Sequence, residues 1–179
     1  KVDDSGRVLL AIELEGGGLN QDITLPHEGL PYLVRSTIFV NNSNSPTVTL
    51  TIAPGVMLKF DANTGLVVGP YGFAASLAAA GTASLPITFT ANTPTPGYWN
   101  GLAFNNTSGT LLLDYCLIEY GGADANNANL VTVGSSTVKN STLRASDGRG
   151  LVVSGGSHTL FGSTLTANGD HGLYIDNGG

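Results

Sequence analysis

The chain has 179 residues, of which 41% are hydrophobic and only 11% are charged, and its formal net charge is −6. With 7 Lys and Arg residues and no basic cluster, the sequence argues against binding to nucleic acid or to an anionic membrane surface. No apolar run approaches the ~20 residues that a membrane-spanning helix needs, and the length suits one domain or one run of stacked repeats.

The chain opens with a strand-like segment, "RVLLAIEL" (residues 7–14), which three glycines follow at positions 16–18. We predict that residues 1–18 form an N-terminal strand or cap with a glycine-rich link, and that residues 19–179 form the main domain. Such a strand can cap its own first coil or add to a neighbouring subunit by β-augmentation. The residues expected to make assembly contacts in this segment are Val8, Leu10, Ile12 and Leu14.

From Leu33 onward the sequence is a succession of short β-type runs separated by turn residues. Val48, Leu50 and Ile52 alternate with threonines, and this period of two indicates strands with one buried side. The one stretch that is compatible with a helix is "GFAASLAAAG", residues 72–81. The pattern therefore predicts an all-β protein.

The C-terminal third repeats itself with a constant step. Leu143 matches Leu165 and Val153 matches Ile175, and each pair is 22 residues apart (165 − 143 and 175 − 153). An antiparallel sandwich gives no reason for such a step, whereas the stacked coils of a parallel β-helix require one. We therefore predict a single parallel β-helix, a solenoid of about 22 to 25 residues per coil, in which Leu143 lies directly under Leu165.

The segment "DANNAN", residues 124–129, is predicted to be an insertion at one corner of the solenoid. Aligning Ile118 with Leu143 gives a step of 25 residues (143 − 118), three more than the regular one. Oxygen-rich loops of this kind are what Ca²⁺ prefers, which makes Asp124, Asn126 and Asn127 weak calcium candidates. The three histidines are scattered singly, so no other metal site and no cofactor is expected.

Several motifs resemble those of a known group of proteins. The order "LTIAPGVMLKF", "GLVVG", "YWNGLAF", "LDYCLIEYGG", "GLVV" and "GLYI" is similar to the right-handed parallel β-helix repeat proteins that bacteria and archaea secrete or display, within the pectate-lyase-like fold superfamily. The resemblance covers about residues 17–179. It implies a right-handed coil and an extracellular or cell-surface location, but no particular activity, because the shared residues pack the coils.

Enzymes that cleave polysaccharides use the same fold, so a catalytic site must be considered. Asp147 and Asp170 lie in neighbouring repeats, where coils spaced by ~4.8 Å can bring two carboxylates together with Arg149 and His171 beside them. The alternative is that all four residues simply build turns, where Asp and Gly are common. We favour the turn interpretation, and a polysaccharide lyase or glycoside hydrolase is the second hypothesis.

Other exposed-looking residues suggest binding or modification. Tyr98, Trp99 and Tyr120 are candidates for a strip that stacks on sugars, with core packing as the alternative. Asn41, Asn105, Asn106 and Asn140 each begin an Asn-x-Ser/Thr triplet that permits glycosylation, although Asn140 is expected in a stacked ladder close to Gly162. Cys116, the only cysteine, is expected to be a buried and unreactive thiol.

These observations favour a non-catalytic, extracellular structural solenoid, a subunit of a surface filament or part of an adhesin. The last coil, with Leu173 and Ile175, has no polar cap in the sequence. We expect either that more chain follows or that another molecule covers this end, and a head-to-tail contact between copies would build a fibre. A carbohydrate-binding module is the third hypothesis.

Overall fold

The computed structural model describes residues 10–41, 47–105 and 108–176. Within these residues the chain forms strands β1 to β20, arranged in three parallel sheets of seven, seven and six strands. Successive strands belong to successive sheets, so three strands make one coil, and each strand pairs with the strand three places further along. The architecture is a parallel β-helix, which confirms the predicted fold class.

The strands of each sheet follow one another along the axis of the solenoid. Sheet 1 contains β1 (Ile12–Leu14), β4 (Tyr32–Val34), β7 (Met57–Phe60), β10 (Ile87–Ala91), β13 (Cys116–Glu119), β16 (Thr142–Arg144) and β19 (Thr164–Thr166). Sheet 2 contains β2 (Gly17–Leu19), β5 (Ile38–Val40), β8 (Gly65–Val68), β11 (Gly101–Phe104), β14 (Ala128–Thr132), β17 (Arg149–Ser154) and β20 (Leu173–Asp176). Sheet 3 contains β3 (Ile23–Leu25), β6 (Val48–Ile52), β9 (Ala75–Ala80), β12 (Leu111–Asp114), β15 (Ser136–Lys139) and β18 (His158–Phe161). A short 3₁₀ turn, Pro70–Gly72, lies between β8 and β9.

The core consists of side-chain columns that run along the axis. In sheet 1, one column passes through Ile118, Leu143 and Leu165 on three successive coils. Ile118 and Leu143 are wholly buried, whereas Leu165 on the last coil is only partly buried. Because side chains alternate between the two sides of a strand, every second residue enters such a column. Each coil thus depends on the coils on either side to bury its interior.

The length of a coil varies along the chain. Leu143 pairs with Leu165, so the 22-residue step is confirmed (165 − 143). Ile118 pairs with Leu143, which confirms the 25-residue step across the insertion (143 − 118). A central coil is longer, because Gly65 pairs with Gly101, 36 residues further on (101 − 65). The predicted coil length therefore describes the C-terminal coils, and longer connections enlarge the central ones.

The corner between sheet 3 and sheet 1 has left-handed backbone on three successive coils. The φ angle is 49° at Tyr115, 50° at Asn140 and 61° at Gly162. Asn140 Nδ2 donates a hydrogen bond to Asp114 Oδ1 at 2.9 Å. A Cβ atom on Gly162 would lie only 2.9 Å from Asn140 Oδ1, so glycine allows the corner to stack tightly. Asn140 and Gly162 are therefore neighbours, as predicted.

Residues 72–81, the stretch compatible with a helix, contain strand β9 instead. Ala75, Leu77 and Ala79 point into the core, and β9 pairs with β6 on one side and with β12 on the other. The helix expectation is wrong because the preference of alanine for helix is below ~1 kcal/mol per residue and two neighbouring strands override it.

The solenoid begins earlier than the predicted boundary at residue 18. Strand β1 pairs in parallel with β4, and β2 pairs in parallel with β5. Ile12 to Leu19 therefore belong to the first coil, and they do not form a separate cap and link. Gly16 has a φ of 80°, and a Cβ atom there would clash with the Ser36 carbonyl group, so this corner requires glycine. Val8 lies outside the described residues.

Candidate functional site

One corner of the solenoid carries the predicted catalytic, calcium and carbohydrate residues. We call it the first corner; it is where the chain passes from sheet 1 to sheet 2. Its connections on the last four coils are 92–100, 120–127, 145–148 and 167–172. Loops grafted on a rigid scaffold are where binding residues usually lie. The first corner is therefore the candidate binding surface on the side of the solenoid.

A charged cluster occupies the first corner on the last two coils. Asp170 Oδ1 lies 2.7 Å from His171 Nδ1, and Asp170 Oδ2 lies 3.7 Å from Arg149 Nε. The Arg149 guanidinium group lies over the Tyr174 ring, 4.3 Å from its centroid, which is a cation–π contact. Three of the four predicted catalytic candidates are thus together. Tyr174, whose importance the sequence did not reveal, holds the arginine in place.

Asp147, the fourth candidate, has different surroundings. Gly169 stacks directly on the Asp147 backbone. A Cβ atom on Gly169 would clash with the Asp147 carbonyl oxygen. The Asp147 side chain packs near Gly97, where an added Cβ atom would lie 3.1 Å from Asp147 Cβ. Arg149 and His171 accompany Asp170 alone, so the two carboxylates do not share one set of partners.

Of the predicted insertion, residues 124–129, the first four form a turn, whereas Ala128 and Asn129 belong to β14. Asp124 Oδ1 accepts a hydrogen bond from the Asn126 backbone nitrogen at 3.0 Å, and Asp124 Oδ2 accepts one from Asn126 Nδ2 at 2.9 Å. Asn127 Oδ1 is buried without a hydrogen-bond partner in the described part of the chain. Across residues 10–41, 47–105 and 108–176, no group of three or more His, Cys, Asp or Glu side chains is placed to hold a metal ion. The calcium hypothesis, which also relies on Asn and carbonyl oxygens, stays a prediction.

Trp99 is part of the core. Its side chain is wholly buried, its ring stacks on Phe60 with centroids 4.2 Å apart, and its Nε1 donates a hydrogen bond to the Glu119 carbonyl oxygen at 2.8 Å. No face of the indole remains for a sugar ring, so the prediction that Trp99 binds carbohydrate is wrong. Tyr98 and Tyr120 are partly buried against the same core. Packing uses the large apolar surface of these rings, as the alternative interpretation expected.

A half-buried polar pair, which the sequence did not reveal, lies near the C-terminal end of the described residues. Ser136 Oγ is 2.8 Å from His158 Nδ1, and His158 Nε2 is 2.5 Å from the Gly155 carbonyl oxygen. Because a carbonyl oxygen only accepts, His158 Nε2 is the donor in its contact with Gly155. Ser136 and His158 continue a side-chain column of sheet 3 that holds Leu77 and Leu111 on earlier coils. This column therefore changes from apolar to polar side chains at Ser136. The sequence signal for this pair is that Ser136 and His158 are separated by the regular 22-residue step (158 − 136).

The C-terminal face, formed by β18, β19 and β20, exposes apolar side chains. Ile175 is 60% exposed, and Leu160 and Leu173, which also continue inward columns, are exposed too. Phe161 is exposed as well, but it pairs with Lys139 and faces outward on the side of the solenoid. Val153, which pairs with Ile175 from the preceding coil, is buried. In the described part of the chain each of these three strands has a neighbour on one side only. Within the described residues, nothing covers the interior of the solenoid at this end.

The N-terminal face, formed by β1, β2 and β3, is open in the same way. These strands also have neighbours on one side only within the described residues. An apolar cavity of about 190 Å³ lies at this end; its lining includes Leu14, Leu19, Ile23 and Leu25. Ile12 is half-buried, and Leu10, two residues before β1, is 81% exposed. Among the predicted assembly residues, Leu10, Ile12 and Leu14 thus lie at one end, and Leu173 and Ile175 lie at the other.

The possible modification sites differ in accessibility. Asn105 is exposed and Asn41 is half-buried, whereas Asn106 lies outside the described residues. Cys116 is buried, and its Sγ lies 3.4 Å from the Ala79 carbonyl oxygen. Burial raises the pKa of the Cys116 thiol to about 12. The cysteine is therefore protonated at neutral pH, in agreement with the expected unreactive thiol.

Comparison with known proteins gives no relative for this chain: no family model matches it, and no curated protein and no solved structure matches it significantly. The resemblance to secreted β-helix proteins therefore stays a prediction from sequence motifs. In the described part of the chain, no helix has the length and apolar character needed to cross a membrane.

Proposed function

We propose that this chain is a non-catalytic structural solenoid of the cell exterior, a building block of a surface filament or an adhesin, and that its copies associate end to end. The observation that carries this proposal is that both ends of one continuous apolar interior are uncovered in the described residues. The low charge and the high content of Ser, Thr, Asn and Gly support the extracellular location.

The two faces are compatible in chemistry and in shape. Both are cross-sections of the same coil, so each presents three parallel strand edges around an apolar centre. Leu160, Leu173 and Ile175 are exposed at one end, and fully burying such a side chain contributes about 1.5 to 3 kcal/mol. Three partly exposed side chains therefore supply a few kcal/mol toward an entropic cost of association of roughly 4 kcal/mol or more. Hydrogen bonds between strand edges add to this.

Sedimentation velocity over a range of protein concentrations tests the proposal. Wild-type protein is expected to form species larger than one copy, in proportions that increase with concentration. Ile175→Glu, which places a charge on the C-terminal face, is expected to abolish them. Leu85→Glu is the matched control, because Leu85 is 45% exposed and lies in the connection between β9 and β10, on the side of the solenoid. A wild-type protein that stays a single copy at every concentration contradicts the proposal.

A polysaccharide lyase or hydrolase is the second candidate, favoured by the cluster of Arg149, Asp170 and His171 on the first corner. An arginine beside a carboxylate and an imidazole is suited to bind an acidic sugar and to move a proton. The test is a panel of acidic polysaccharides incubated with the purified chain. Cleavage that Asp170→Asn abolishes and Asp124→Asn preserves would replace the structural proposal. A carbohydrate-binding module is less well supported, because Trp99 is buried.

A further inference from the structure

The turn between β8 and β9 presents an aromatic side chain to the solvent. We call this side of the solenoid the second corner; it is where the chain passes from sheet 2 to sheet 3. Tyr71, the middle residue of the 3₁₀ turn Pro70–Gly72, is 94% exposed, more than any other large hydrophobic or aromatic residue that the structure describes. Tyr71 is therefore independent of the charged cluster at the first corner.

The backbone holds Tyr71 in a conformation that is unfavourable for tyrosine. Its φ and ψ angles are 58° and 20°, in the left-handed region that is costly for a residue with a Cβ atom. Two backbone hydrogen bonds fix the turn, from Gly72 N to the Gly69 carbonyl oxygen and from Phe73 N to the Pro70 carbonyl oxygen, both 3.2 Å long. Glycine or asparagine would adopt this conformation at a lower cost. Because backbone strain of this kind is concentrated at functional sites, the presence of a tyrosine here requires an explanation.

The Tyr71 ring has little contact with the rest of the protein. Its one ring contact in the described residues is with Phe73, edge to face, with centroids 6.3 Å apart and ring planes at 73°. A tyrosine that packs in a core or an interface buries about 150 to 250 Å². At 94% exposure Tyr71 buries almost none of its surface, so packing within the chain does not explain it. The ring is therefore available to a ligand.

The surroundings of Tyr71 are uncharged. The segment 69–76 contains no Asp, Glu, Lys or Arg. By the strand register, the residues next to Gly69 on the two neighbouring coils are Asn41, which is half-buried, and Asn105, which is exposed. A side-chain amide can both donate and accept hydrogen bonds. The second corner thus combines an open aromatic ring with uncharged hydrogen-bonding groups on either side of Gly69.

This combination fits a neutral carbohydrate better than a charged ligand or a second protein. A sugar ring has apolar C–H groups, which stack on an aromatic ring, and hydroxyl groups, which form hydrogen bonds with amides. A charged ligand would find no opposite charge in the turn. A protein interface needs a centre that surrounding contacts bury completely, and it covers about 800 Å² on each partner. Tyr71, by contrast, projects from a turn of three residues.

We propose that Tyr71, with Asn41 and Asn105 on the adjacent coils, forms a binding site for a neutral oligosaccharide. The Tyr71 ring stacks on one sugar ring, and the two amides form hydrogen bonds with sugar hydroxyl groups. The two asparagines lie two strand spacings apart, about 9.6 Å, so a ligand that contacts both is longer than one sugar ring. This inference goes beyond end-to-end association and does not depend on it. In an end-to-end assembly each copy would add one such site, which raises the avidity for a surface that carries the same sugar.

Calorimetric titration with neutral oligosaccharides tests the site; the panel contains oligomers of glucose, mannose, galactose, xylose and N-acetylglucosamine. The protein is produced without N-linked glycans, because Asn41 and Asn105 begin Asn-x-Ser/Thr triplets. The wild type is expected to bind at least one member of the panel. Tyr71→Asn is expected to weaken that binding at least about tenfold, whereas Tyr71→Phe, which keeps the ring, is expected to leave it within about threefold.

Melting temperatures separate a loss of binding from a loss of folding. Asparagine tolerates the left-handed region, so Tyr71→Asn is expected to keep or raise the melting temperature while it removes binding. Phe161→Ala is the matched control, because Phe161 is an aromatic residue, 69% exposed, on β18, three strands beyond β9 in sheet 3. Its replacement is expected to leave oligosaccharide binding unchanged.

The carbohydrate site is overturned if no neutral oligosaccharide binds at about 10 mM, if Tyr71→Asn leaves binding unchanged, or if Phe161→Ala weakens it equally. Binding that is confined to acidic oligosaccharides, kept by Tyr71→Asn and lost in Arg149→Gln, also overturns it and moves the site to the first corner. The two proposals fail separately. Oligosaccharide binding by a chain that stays a single copy contradicts end-to-end association alone, whereas association without oligosaccharide binding contradicts the carbohydrate site alone.

Discussion

Replacing Leu143 by alanine tests the stacked interior. Leu143 is wholly buried between Ile118 and Leu165 in the inward column of sheet 1. The substitution removes three carbon atoms, which corresponds to roughly 2.4 kcal/mol at 0.8 kcal/mol per buried carbon. The coils above and below are fixed by strand pairing and can collapse only in part, so a cavity adds to the cost. We expect a total loss of about 3 to 4 kcal/mol, within the ~2 to 5 kcal/mol usual for core leucines.

Urea unfolding followed by circular dichroism measures this loss, and an unchanged m-value shows that the variant unfolds from the same compact state. Leu117→Ala is the matched control, because Leu117 neighbours Ile118 on β13 but faces outward and is only half-buried. Its loss is expected to be clearly smaller. A loss below about 1 kcal/mol for Leu143→Ala, or equal losses for the two variants, would refute the inward column.

Two further predictions concern the thiol and a corner glycine. Cys116 keeps its proton until about pH 12 in the folded protein, whereas the unfolded thiol ionises near 9.0, so ionisation favours unfolding between these values. Wild-type stability should therefore fall more steeply above pH 9 than that of Cys116→Ala, by up to about 1.4 kcal/mol per pH unit, and equal slopes in urea unfolding would contradict this. Gly101 has a φ of 97°, and a Cβ atom there would clash with the Ala128 carbonyl oxygen. Gly101→Ala should lower the melting temperature more than Gly29→Ala, whose φ is 73° but whose Cβ would meet nothing within 4 Å; similar losses would show that the close contact is unimportant.

The fold is predictable from the sequence because its interior is periodic. The 22-residue spacing of Leu143 and Leu165 indicates that the strands are parallel and which residues pair with each other. This prediction requires no information about distant loops. The N-terminal coil was harder to predict because Gly16, Gly17 and Gly18 suggest a flexible link. In the structure Gly16 forms a corner where close contact with Ser36 requires glycine, and Gly17 and Gly18 belong to β2.

The candidate site is only partly predictable, because coil length varies at the first corner. Asp170 and His171 are neighbours in sequence and come together with Arg149 through the regular 22-residue step. The role of Trp99 is not predictable in this way, since the connection 92–100 has no counterpart of equal length on the next coils. Whether an aromatic residue in such a connection is buried depends on the tertiary packing of the connection, which no local pattern specifies.

Electron cryo-microscopy of the purified chain tests the central claim, end-to-end continuation of the solenoid, most directly. If copies associate end to end, they form an unbranched rod one solenoid wide. The strands of the rod are expected to lie across its axis with a spacing of about 4.8 Å. Particles of single-copy size at all concentrations, or copies that associate side by side through the first corner, would contradict the account.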